Sequence, residues 1–98
     1  MKILALETGV PGVTEERFTP HLAAEATRAW ELHQSGVIRE LYFRADRDEA
    51  VLVLECLSLE EARGMLATLP LVREGLIGFD LVPLRAYAGF ARLFGRAG

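Results

Sequence analysis

Four polar residues, Glu40, Tyr42, Arg44 and Glu55, fall at alternating positions in VIRELYFRADRDEAVLVLECL, residues 37–57. Alternate residues of a strand share a face, so one face would carry Glu40, Tyr42 and Arg44 beside Val51, Val53 and Glu55. Two carboxylates set opposite one another raise each other's proton affinity, so Glu40 or Glu55 could act as a general base near neutral pH. Arg44 could hold a carboxylate or enolate oxygen, and Tyr42 could donate to it. The same four residues also suit a half-solvated sheet face, or a subunit interface crossed by ion pairs. His33 is a further candidate. It sits among the apolar residues of the preceding helix, where it could serve a pocket beneath that helix as an acid, base or anion-binding group. Its other reading is a hydrogen-bonded histidine favoured by the helix C-terminal dipole.

The element that positions the four is a β-hairpin turned by Asp46-Arg47-Asp48-Glu49. Placing Ala45 opposite Ala50 pairs Phe43 with Leu52, Leu41 with Leu54, Arg39 with Cys56 and Glu40 with Glu55. The Leu41, Phe43, Leu52 and Leu54 face is then the buried one, and a slip of one residue would scramble the separation.

The remaining elements follow from punctuation and periodicity. Residues 2–8 read as a first strand, followed by a loop marked by Gly9, Pro11 and Gly12. Thr19-Pro20 offers an N-cap and a first helical position, and Gly36 a left-handed stop. Between them Leu22, Ala26, Ala29, Trp30 and His33 gather on one stripe, with Glu25, Arg28 and Glu31 outside its centre. Ser58 and Glu61 form a capping box for a second helix through Leu69, which Pro70 ends. A last strand runs over 76–84. The order β-α-β-β-α-β predicts an α+β, ferredoxin-like fold, with a four-stranded antiparallel sheet and both helices on one face. Residues 1–84 form that domain. Residues 85–98 form an amphipathic C-terminal tail, with Tyr87, Phe90 and Phe94 opposite Arg85, Arg92 and Arg96.

Composition narrows the function classes. A chain of 98 residues is one domain, and its 51% hydrophobic content is high for that size, which predicts apolar surface shared with a second copy. The net charge of −3 argues against a nucleic-acid footprint. The single cysteine, Cys56, allows neither an internal disulfide nor a cysteine-cluster zinc site and reads as core. Two isolated histidines make no metal motif, and the glycines at 9 and 12 make no phosphate cradle, so no cofactor is expected. The short apolar start is neither signal peptide nor membrane span, which predicts a cytoplasmic protein.

Residues 31–57, with Glu31-Leu32, Ser35-Gly36, Arg39, Leu41-Tyr42 and VLVLECL, resemble the muconolactone isomerase family, as do Leu69-Pro70-Leu71 and Phe79-Asp80-Leu81-Val82-Pro83-Leu84. The resemblance implies a dimeric α+β barrel of two face-to-face sheets, larger assemblies built from dimers, and cofactor-free isomerisation of a small acidic lactone. Leu6, Glu40 and Phe43 stand where the family pattern expects basic residues, so an anionic substrate would lack its partners. The alternative is a non-catalytic barrel that binds a ligand or builds an oligomer.

Overall fold

A computed structural model describes residues 1–95. Four strands form one sheet: β1 (Lys2–Gly9), β2 (Ile38–Phe43), β3 (Ala50–Glu55) and β4 (Ile77–Leu84). Their order is β2-β3-β1-β4, antiparallel throughout. The helices are α1 (Leu22–Gln34), α2 (Leu59–Leu66) and the short α3 (Pro70–Arg73). This is the expected ferredoxin-like α+β arrangement. The β1 residues Ile3 and Ala5 are fully buried with Leu52 and Leu54 of β3, Leu32 of α1 and Ala62 and Leu66 of α2, so one sheet face lies under the helices. Pro83 lies in the edge strand β4, where a missing N–H costs the ladder little.

Two helix ends close with the same device. Gly36 has φ of 85°, its N–H donates to the His33 carbonyl, and the Val37 N–H donates to that of Leu32. Gly75 has φ of 73°, with Gly75 donating to Val72 and Leu76 to Leu71. Both patterns are Schellman closures that return the chain to a strand. At the start of α2 the Glu61 N–H donates to Ser58 Oγ at 3.0 Å. The Glu61 carboxylate reaches one residue beyond the expected box, accepting from the Leu57 N–H at 2.8 Å.

Several expectations change. The Thr19-Pro20 start is a 3₁₀ turn over Thr19–His21 without a side-chain cap, and the α-helix begins at Leu22. The second helix stops at Leu66 rather than Leu69. Pro70 opens α3 at its first position, where proline lacks nothing the helix needs.

The hairpin register moves by two residues. The observed pairs are Phe43 with Ala50, Tyr42 with Val51, Leu41 with Leu52 and Glu40 with Val53. Arg44 is the cause, because the turn claims it. Its guanidinium donates to both Asp46 oxygens at 2.8 and 2.6 Å, and its backbone N–H donates to the Glu49 carbonyl. A shift of two keeps each side chain on its face but changes its partner. A bulge then leaves Arg39 unpaired between Ile38 and Glu40, and its Nε donates to the Gly36 carbonyl at 2.7 Å. Arg39 therefore does not face Cys56, and Ile38 fills the core opposite Leu54.

Candidate functional site

The helix-covered face is not filled at its β2 end. Leu52 and Leu54 are buried as expected, but Leu41 is 41% and Phe43 74% exposed. Between them and the α1 stripe lies a cavity of about 430 Å³, within the roughly 300–1,000 Å³ of small-molecule sites. Leu22, Ala26, Ala29, Trp30 and His33 line it from α1, and Leu41, Phe43, Leu52 and Phe79 from the sheet. The apolar stripe read from the sequence thus faces a cleft, and α1 buries only Leu32 completely.

Three polar side chains break this apolar lining: Glu7, Glu25 and His33. Glu7 follows Ile3 and Ala5 on the covered face of β1, just past the last β1–β3 pair, Leu6 with Val51. Its Oε1 accepts the Ala50 N–H at 2.9 Å. Glu25, in the first turn of α1, accepts the Leu71 N–H at 2.8 Å and so ties α3 to α1. Burial raises the Glu7 pKa despite the Ala50 hydrogen bond, and the charges of Glu49, Glu25 and Asp48 add to the rise. Burial likewise raises Glu25, against the Leu71 hydrogen bond and the charges of Arg73 and His21. Each carboxyl is therefore easier to protonate than a free one, and ionising one disfavours ionising the other.

His33 Nδ1 lies 2.8 Å from the Ile38 carbonyl. A carbonyl only accepts, so Nδ1 carries a proton, and in that tautomer Nε2 is the acceptor. The ring lies 5.8 Å from that of Trp30, tilted by 40°. The cavity thus holds two carboxyls of raised proton affinity and one imidazole nitrogen.

The other expected site residues lie on the opposite, open face. Glu40 faces Val53 rather than Glu55, so the two carboxylates are not a pair. The Tyr42 hydroxyl donates to Glu40 Oε1 at 2.7 Å, and this bond raises the phenol pKa. Glu55 accepts from the amino terminus of Met1 at 2.6 Å, and that contact lowers its pKa, the opposite of what a base requires. Arg44 is engaged by Asp46 and Glu49 in the hairpin turn. Of the residues picked from the sequence, only His33 reaches the cavity. Glu7 and Glu25 carried signals of their own. Glu7 continues the core-facing alternation of Ile3 and Ala5, and Glu25 sits three after Leu22 and four before Ala29.

Neither a family model nor a curated protein matches the sequence. Solved structures do. A muconolactone isomerase superposes with a TM-score of 0.74 at 22% identity, over 90% of this chain and 92% of the other. The fold is that of muconolactone isomerase. A 5-chloro-2-hydroxyhydroquinone dehydrochlorinase from Burkholderia phenoliruptrix AC1100, in complex with 2,5-dihydroxybenzoquinone, superposes with a TM-score of 0.68 at 16% identity, covering 91% and 98%. The expected muconolactone isomerase-like fold is therefore found, and no helix among the described residues is long and apolar enough to cross a membrane.

Proposed function

We propose that this chain is a small cofactor-independent isomerase that moves a proton on a small carbonyl compound or lactone. The reading rests on one observation: Glu7, Glu25 and His33 converge on a single apolar cavity. A carboxylate there takes a proton from the carbon next to a carbonyl, leaving a dienolate. The second carboxyl, still protonated, donates to the developing oxyanion, and a proton returns at the γ-carbon, so no electrons are gained or lost. The apolar wall of Leu52 and Phe79 lowers the local dielectric and strengthens each of these contacts. The carboxylate role first assigned to Glu40 and Glu55 passes to Glu7 and Glu25, and His33 remains as a ligand-facing group. The muconolactone isomerase fold supports the reaction class.

The test is isomerisation of α-angelica lactone, a β,γ-unsaturated butenolide, to its α,β-unsaturated isomer. At least one of Glu7→Gln and Glu25→Gln should slow it by roughly 10²–10⁴-fold, and equal rates in both variants and the parent contradict the proposal.

The open sheet face favours a second, compatible role in assembly. Leu4, Leu6, Val51 and Val53 are only half-buried there, and Tyr42 and Val82 are exposed. A second copy packed on this face would complete a dimeric barrel and enclose the Glu40–Tyr42 pair. Residues 1–84 would then be the barrel domain and 85–98 its tail. Buried, unpaired Cys56 suits a reducing cytoplasm.

A further inference from the structure

The cavity's charge inventory is one-sided. Glu7 and Glu25 line it, and none of its lining residues is a lysine or arginine. Arg73, whose charge reaches Glu25, is outside the lining and pairs with Glu74 at 3.4 Å on the surface. Arg28, the cation within α1, is turned to Thr68 and Glu31. An anionic ligand would therefore sit beside two carboxyls with no lysine or arginine in the lining to offset its charge, which disfavours it. The remaining wall is leucine, alanine and isoleucine, with Phe79 beside it and Trp30 and Phe43 at the exposed rim, which suits a flat ring. Where Nδ1 of His33 holds the proton, Nε2 offers an acceptor to a hydroxyl on such a ring.

We propose that this cavity takes an uncharged cyclic carbonyl or phenolic compound of one or two rings and turns away carboxylates of the same shape. This rests on the proton-transfer reading for its reaction but on the cavity's walls for its ligand, so the two are tested apart. Ligand choice is read by calorimetry on the full-length protein at pH 7, with 2-naphthol against 2-naphthoate. Naphthol should bind at least about ten-fold more tightly. Leu41→Arg, which adds a cation at a partly exposed wall position, should narrow or invert that ratio. Reaction choice is read with α-angelica lactone against the same ring bearing a carboxymethyl group.

Equal or tighter binding of naphthoate by the parent protein overturns the inference, whatever happens to the lactones. Faster turnover of the carboxymethyl lactone also overturns it, yet leaves proton transfer standing. Turnover of neither lactone, with naphthol still preferred, removes the reaction and keeps the ligand class. Naphthol binding that appears only in a Phe90→Ser/Phe94→Ser variant would mean that the aromatic tail fills the cavity, which overturns the inference as well.

Discussion

The Glu7 carboxylate takes the Ala50 N–H at 2.9 Å, one residue beyond the point where the β1–β3 ladder stops at Leu6 and Val51. A side chain thus substitutes for a strand carbonyl, and in doing so a titratable group is fixed in the cavity lining. Glu25 repeats the arrangement from α1 through the Leu71 N–H. Both groups are positioned by backbone donors, so each is oriented whether or not a ligand is present.

That arrangement carries a pH signature. Both carboxyls have pKa values raised above the ordinary 4.5, chiefly by burial, so the folded chain holds protons that the unfolded chain has released. Stability should therefore be greatest below about pH 4.5 as far as these two groups are concerned, and fall as pH rises through their raised values. Glu7→Gln and Glu25→Gln keep an oxygen acceptor but cannot ionise. Urea melts from pH 4 to 8 should show a shallower decline in the double variant than in the parent. An identical slope would place both groups in water.

The core prediction separates two buried residues from an exposed one on the same sheet face. Leu52→Ala and Leu54→Ala should each cost about 2–5 kcal/mol in chemical denaturation, because both are buried among the helices. Phe43→Ala should cost under about 1 kcal/mol, since that ring is mostly exposed at the cavity rim. A Phe43 cost as large as that of Leu54 would mean that a second copy covers the rim.

The sequence resolved the faces but not the partners. Alternation along residues 37–57 correctly assigns Leu41, Leu52 and Leu54 to one side and Glu40, Tyr42 and Val53 to the other. It carries no information on how many residues the turn consumes, and the Arg44–Asp46 bond takes two more than expected. The same limit explains the site. An apolar stripe on α1 reads as packing, although here it lines a cleft, because a pattern gives direction and not distance. Lone acids such as Glu7 and Glu25 in amphipathic elements are usually solvent-facing, so their residue types alone do not mark a cavity.

The tail predicts an assembly. Residues Gly89–Phe94 form a 3₁₀ helix, and Tyr87 just before it meets Phe90 edge to face at 5.0 Å, yet Tyr87, Phe90, Leu93 and Phe94 all stay exposed. Arg96, on the expected basic side, lies outside the described residues. The radius of gyration, 16.3 Å, exceeds the roughly 13 Å of a compact chain of this length, in keeping with the largely exposed run of residues 85–95. These aromatics should dock on a neighbouring subunit. Sedimentation at micromolar concentration should show a dimer or larger species, and a Tyr87→Ser/Phe90→Ser/Phe94→Ser variant should shrink it or lower its Tm. A monomeric parent, or a variant of unchanged size and Tm, would exclude the tail from assembly.

The account turns on which carboxylates move the proton, and deuterium reports this directly. In D₂O, isomerisation of α-angelica lactone should place one deuterium on the γ-carbon of the product, followed by NMR at fixed protein concentration. Glu40→Gln and Glu55→Gln should leave the rate within about two-fold, while at least one of Glu7→Gln and Glu25→Gln should lower it by roughly 10²-fold or more. Loss of the reaction in Glu40→Gln or Glu55→Gln, with both cavity variants active, would move the site to the open sheet face and contradict the account.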